Sequence, residues 1–116
     1  MPRDSSFYLE DIVESCAKIQ RYTLGMDFET FKQNEQVFDA VIRNLEVIGE
    51  AAKQLPETIK AMMPDIEWTM AAKFRDVIAH HYFGLDMEVV WNVVQEKIPA
   101  IHASVTEIVQ RFRREI

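Results

Sequence analysis

Hydrophobic residues recur in steps of three and four along most of the chain, which is the period of a helix with one buried face. This pattern predicts four long helices, at about residues 5–24, 35–55, 67–83 and 86 onward. Shorter helices are predicted at 28–31, capped by Asp27, and at 56–63. The apolar spacing continues through Pro99, so we expect one kinked last helix rather than two. The sequence therefore predicts an all-α fold, an up-down four-helix bundle with a short extra helix before the third long helix.

Residues with special backbone preferences mark the predicted helix ends. Ser5 or Ser6 is placed to cap the first helix, and Gly25 to end it in a left-handed turn. Gly84 is expected to end the third long helix, and Asp86 to cap the last one. The loops between the predicted helices are therefore short.

Composition narrows the class of protein. The chain has 116 residues, the size of one domain spanning 1–116, and a formal charge of −6 that argues against a general nucleic-acid coat. Cys16 is the only cysteine, which excludes an intrachain disulfide. The first residues lack the apolar core of a signal peptide, and no apolar run approaches the roughly 20 residues of a membrane span. We expect a cytoplasmic protein without membrane contact.

Chemistry is concentrated in one segment of the third long helix, Arg75-Asp76-Val77-Ile78-Ala79-His80-His81-Tyr82. An arginine can bind phosphate oxygens and a histidine can exchange protons near neutral pH, which suits phosphodiester chemistry without a metal. On a regular helix Arg75 and Tyr82 lie within about 20° of each other, and Asp76 is placed to orient His80. Arg75 and His80 are about 140° apart, so either the helix end is distorted or a second subunit completes the site.

Each of these residues also has an ordinary explanation. An arginine on a helix is usually a surface charge, and a tyrosine near a helix end usually packs. His81 shares a face with Phe74, Val77 and Ile78, which we expect to point at the core. Three further features are interpreted as structural: the carboxylate pair Glu46 and Glu50, the isolated His102, and the arginines of the last turn, Arg111, Arg113 and Arg114. The residue types alone leave the function open, and they do not indicate a zinc site.

Several segments together resemble a known family, the HepT-like branch of the HEPN superfamily, which are the toxins of HepT/MntA type VII toxin–antitoxin modules. The similarity covers nearly the whole chain. It includes R-x-x-x-x-H followed by H-x-Y, and the segments Tyr8–Ile12, Arg43–Ala52, Pro64–Trp68, His80–Asp86, Val90-Trp91 and Ile98-Pro99. The spacing of Arg and His alone is weakly specific, whereas the combination with Ile48-Gly49-Glu50-Ala51 and Gly84-x-Asp86 is strongly specific.

The resemblance implies a HEPN-type helical bundle and a metal-independent endoribonuclease, with no cofactor, that acts on RNA as a homodimer or higher oligomer. It implies that Arg75 and His80 are the catalytic residues, with Asp76 as the polar residue after the arginine. It also implies that Tyr82 accepts AMP from a cognate minimal nucleotidyltransferase antitoxin, which silences the toxin. His81 departs from the family, in which a small residue such as glycine is frequent at this position.

Two other interpretations are compatible with the sequence. The chain can be a catalytically silent helical partner, or a nucleotide-binding subunit, of a nucleotidyltransferase, which the negative charge favours. It can also be a purely structural bundle, which the extent of the resemblance disfavours.

Overall fold

The computed structural model of the chain describes residues 4–114, and the regular structure of these residues is entirely helical. The predicted all-α bundle is therefore confirmed. In chain order the helices are α1 (Ser5–Thr23), α2 (Phe28–Gln33), α3 (Glu35–Gln54), α4 (Glu57–Lys60), α5 (Trp68–His81), a 3₁₀ turn (Tyr82–Gly84), α6 (Met87–Asn92), a π-helical turn (Val93–Lys97) and α7 (Ile98–Arg114). None of the described helices is long and apolar enough to cross a bilayer.

The core lies between α1, α3 and α7. Helix α1 packs against both α3 and α7, and α3 packs on its other side against α5. Each helix contributes a stripe of buried aliphatic side chains, among them Leu9, Ile12, Ile19, Val41, Ile42, Ile48, Ile98, Val105 and Ile108. Burying one such side chain stabilises a fold by about 1.5–3 kcal/mol, so this three-helix contact holds the bundle together.

Helix α5 sits at the edge of the bundle and leaves an apolar groove beside it. It packs chiefly against α3. An open cavity of about 820 Å³ lies between α5 and the segment formed by α6, the π-helical turn and the start of α7. The sequence-based expectation that Val77 and His81 face the core is wrong: Val77 is 46% exposed and His81 is also exposed, whereas Ile78 is buried. With one main partner helix, α5 buries only the strip that faces α3.

Most predicted caps are present, with one correction at α1. Asp4, rather than Ser5 or Ser6, caps that helix, its Oδ1 accepting a hydrogen bond from the Ser6 amide at 2.9 Å. The caps at Asp27 and Asp86 are confirmed by hydrogen bonds from the amides of residues 30 and 88. Gly25 has a φ of 78°, the left-handed conformation expected of it.

Two helix ends differ from the prediction. Helix α5 stops at His81, whose φ of −134° and ψ of 36° leave the helical region, and Gly84 ends a separate 3₁₀ turn. The last helical segment runs without a break from residue 87 to residue 114, and its irregularity is a π-helical turn just before Pro99, where the Ile98 amide donates to the Val93 carbonyl. The wider turn suits proline, which lacks an N–H and crowds the preceding turn of an α-helix.

Candidate active site

Helices α3 and α5 lie in close contact at Gly49. A Cβ atom built on Gly49 would lie 2.3 Å from the Cβ of Arg75 and 3.0 Å from the carbonyl oxygen of Ala71. Real Cβ atoms do not tolerate a separation of 2.3 Å, so no other residue fits without moving α5. The glycine therefore allows the backbone of Arg75 to lie directly on α3, and it fixes where the arginine side chain begins.

Glu50, the residue after that glycine, forms an ion pair with the guanidinium group of Arg75. Glu50 Oε2 lies 3.4 Å from Arg75 Nε, and Asp76 Oδ1 lies 3.5 Å from Arg75 Nη1. The Arg75 side chain is 32% exposed, so it is partly desolvated but still reachable from solvent. Sequence reasoning treated Glu50 as solvated surface and missed this role. The adjacent pair Gly49-Glu50, facing a cation on another helix, is the signal that could have identified it.

The shortest polar contact of Asp76 crosses the interface between α3 and α5. Lys53 Nζ donates to Asp76 Oδ1 at 2.6 Å. The hydrogen bond from Lys53, followed by the charges of Lys53 and Arg75, holds the pKa of Asp76 below its usual value. The expected hydrogen bond from the His80 imidazole to Asp76 is not formed; a permanent cation is a stronger partner for a carboxylate than a neutral imidazole. Lys53 is a second residue that sequence reasoning did not single out.

His80 lies exposed in the last turn of α5. Among residues 4–114 no hydrogen bond or ion pair joins its imidazole to another side chain. The backbone leaves the helical path at His81, after both Arg75 and His80. The two candidate catalytic side chains therefore still diverge by about 140° on one regular helix, and the distorted helix end does not bring them together.

Tyr82 begins the 3₁₀ turn and reaches back to α3. Its hydroxyl donates a hydrogen bond to Asp39 Oδ1, and its ring packs near those of Phe38 and Phe83. The hydrogen bond to Asp39, then partial burial, then the negative charges of Asp39 and two nearby glutamates, raise the pKa of Tyr82. The phenol is thus held in its protonated form. The residue is 37% exposed, so part of it is in contact with solvent.

Arg75 and Tyr82 contact the same stripe of α3 at two separate places. Their partners Glu50 and Asp39 are eleven residues apart, which places them on one face of the helix and about 16 Å apart along its axis. The site is thus an elongated seam between α3 and α5, with two cations paired to two carboxylates near Lys53 and an acidic end near Asp39. Within residues 4–114, no three His, Cys, Asp or Glu side chains are grouped so that they could hold a metal ion.

Comparison with known proteins identifies the family of this chain. The family model described as "Ribonuclease HepT-like" matches residues 12–108. The chain is 43% identical over 101 residues to "Probable ribonuclease HepT" of Thermococcus cleftensis, covering 87% of this chain and 92% of that protein. It is 39% identical over 116 residues to "Putative RNase MJ0127" of Methanocaldococcus jannaschii, covering 99% and 96%. No solved structure matches the chain significantly.

The match extends over most of the chain and includes both helices of the seam. The chain therefore belongs to the HepT-like ribonuclease family, as its resemblance predicted.

Replacing Gly49 by alanine tests the close contact between the two helices. Helix propensity alone predicts that alanine stabilises α3 by about 1 kcal/mol. The contact with Arg75 predicts instead that the free energy of unfolding falls by about 1–3 kcal/mol because of overpacking, and that the arginine is displaced. Urea denaturation of Gly49→Ala measures the change directly. Gly84→Ala is the matched control, because a Cβ atom there meets nothing within 4 Å. Stabilisation of the Gly49 variant would show that the helices are not in contact at this point.

Proposed function

We propose that this chain is an endoribonuclease whose active site contains Arg75 and His80. The observation that carries the proposal is the fixed position of Arg75. This partly buried cation of α5 packs against Gly49 of α3 and forms ion pairs with two carboxylates. Such an arginine is poised for an anion rather than loosely solvated. The names of the relatives support RNA as the substrate.

The chemistry requires no more than these side chains provide. RNA carries its own nucleophile, the 2′-hydroxyl, so cleavage needs a base, an acid for the leaving oxygen and stabilisation of the negative charge that develops on phosphorus. His80 serves in proton transfer, and its exposed imidazole is open to substrate. Arg75 binds the scissile phosphate, and Asp76 supports the arginine rather than the histidine.

Removing either catalytic side chain tests the assignment. We expect Arg75→Ala and His80→Ala each to abolish RNA cleavage and any inhibition of growth, with the helical circular-dichroism spectrum unchanged. Arg113→Ala and His102→Ala are matched controls from α7 and should keep wild-type activity, because both lie away from the seam. Assays in the presence of a chelator exclude a contaminating metal-dependent nuclease. Continued cleavage by the Arg75 or the His80 variant would refute the catalytic role of that residue.

We further propose that the active unit is a homodimer. Arg75 and His80 diverge on one helix, so one copy's arginine and the other copy's histidine are the natural pair. The exposed apolar side chains of Met70, Val77 and Val89 line the groove beside α5 and offer a surface for a second copy. Exposed apolar patches of this kind usually mark an interaction site.

Mixing two inactive variants tests a site shared between copies. If Arg75 of one copy acts with His80 of the other, a dimer containing one Arg75→Ala chain and one His80→Ala chain retains one intact site. After unfolding and refolding together, an equal mixture should recover about a quarter of wild-type activity, because half of the dimers are mixed and each has one of two sites. Light scattering checks the mass of the active species. A monomeric active protein, or no recovery from mixed dimers, would contradict a shared site.

The finer role we propose is that of a toxin neutralised through Tyr82. The hydroxyl of Tyr82, a residue that is 37% exposed, is the group that a nucleotidyltransferase antitoxin would join to AMP from ATP. Transfer breaks the bond between the α- and β-phosphates, releases pyrophosphate and removes the phenolic proton. The transferase must first displace the hydrogen bond to Asp39. The added phosphate would bring negative charge and bulk to the seam on which RNA binds.

The proposed neutralisation can be tested by incubating the protein with the partner, ATP and magnesium. Intact-mass and peptide mass spectrometry then show whether Tyr82 is modified. We expect an adenylyl group on the Tyr82 peptide and loss of cleavage. Tyr82→Phe should escape both effects, whereas the control Tyr22→Phe, on α1, should be modified as the wild type is. Full neutralisation of Tyr82→Phe would overturn the proposed mechanism.

A second candidate function is a silent partner of a nucleotidyltransferase. The observation that favours it is the pairing of Arg75 with Glu50 and Asp76 in a chain of net charge −6, which opposes RNA binding. Cleavage by purified protein free of any partner distinguishes the two candidates.

A further inference from the structure

One carboxylate oxygen is shared by two cations from different helices. Lys53 Nζ lies 2.6 Å from Asp76 Oδ1, and Arg75 Nη1 lies 3.5 Å from the same atom. Because both contacts end on one oxygen, the two nitrogens cannot be farther apart than these distances added together. A phosphate group placed beside two cations at that separation can accept hydrogen bonds from both.

Both cations are held in a partly desolvated place. The side chain of Lys53 is 33% exposed and that of Arg75 is 32% exposed, although they come from the last turn of α3 and the middle of α5. Charges that have lost part of their water attract an anion more strongly than fully solvated charges. An ordinary lysine at a helix C-terminus interacts with the helix dipole. Lys53 instead extends across the seam to the next helix.

Donors remain free on both side chains for an incoming ligand. An ammonium group has three N–H donors and a guanidinium has five. Within residues 4–114 the ion pairs at the seam use one donor of Lys53, for Asp76, and two of Arg75, for Glu50 and Asp76. The carboxylates therefore position the two cationic heads without exhausting them. Such positioning before a ligand arrives lowers the entropy lost on binding.

We propose that Lys53 is a second phosphate-binding residue of the ribonuclease site, forming with Arg75 a two-cation clamp for the RNA backbone. This inference rests on the proposed ribonuclease function. In it, Asp76 and Glu50 keep the clamp assembled in the free protein. Asp76, whose side chain is 49% exposed, moves aside or shares its partners when the phosphate binds. The clamp gives an acidic chain two positioned cations that bind the phosphate backbone of RNA.

The dependence of RNA affinity on salt distinguishes a phosphate contact from a structural role. For single-stranded RNA, each phosphate contact adds about 0.7 to the slope of log affinity against log salt concentration. We expect Lys53→Met to lower that slope by about 0.7 and to weaken binding of a short RNA at low salt about tenfold. Lys53→Arg should keep both values, because it preserves the charge. KM for cleavage should rise in Lys53→Met more than kcat falls.

Lys18→Met is the matched control, since it removes the same charge from α1, where Lys18 pairs with Glu14. Equal effects of the two methionine variants would mean that only the net charge matters, which would overturn the proposal. An unchanged salt slope in Lys53→Met would overturn it as well. Circular dichroism establishes that the variants are folded, and Lys53→Arg provides a second folded variant. If wild type cleaves RNA and Lys53→Met behaves identically, the clamp alone fails. If wild type neither binds nor cleaves RNA, the proposed function fails with it.

Discussion

The close approach of α3 and α5 at Gly49 is the constraint on which the rest of the candidate site depends. A side chain at this position would occupy the space of the Arg75 Cβ atom, 2.3 Å away. The two helices are in contact here and run in opposite directions, so their positions along the seam determine which side chains meet. Arg75 meets Glu50, Asp76 meets Lys53, and the phenol of Tyr82 reaches Asp39 at the far end.

This seam balances its charges in the absence of substrate. Two cations face two carboxylates near Gly49, so an acidic protein keeps arginine and lysine in place without exposing a broad positive surface. The hydrogen bond from Lys53 lowers the pKa of Asp76 in the folded protein. The ionised carboxylate therefore stabilises the fold at pH values above its ordinary pKa. This stabilisation is lost as the pH falls through the lowered pKa. The seam therefore depends on the ionised carboxylate. If the proposed site is correct, RNA phosphate competes with the resident carboxylates, which favours a fixed, specific contact over general attraction.

The sequence was sufficient to predict the long helices, whereas the catalytic role of residues 75–82 stays a prediction. Apolar spacing located the long helices because each buries one stripe, and Gly25 and Asp27 marked a turn through their backbone preferences. The sequence could not predict which face of α5 is buried, because that depends on α5 having one main partner helix. This is why Val77 and His81 are exposed. The partners of the motif were also missed, since α3 and α5 pair side chains more than twenty residues apart.

The most direct test of the central claim, that this chain cleaves RNA through the 2′-hydroxyl of the substrate, is the chemical structure of the product ends. Purified protein should be incubated with a defined RNA in the presence of a chelator, and the fragments analysed by mass spectrometry. We predict a 2′,3′-cyclic phosphate on one fragment and a 5′-hydroxyl on the other, with no cleavage where the nucleotide before the scissile bond is 2′-deoxy. Equal cleavage of the deoxy substrate, or fragments ending in a 3′-hydroxyl, would contradict it.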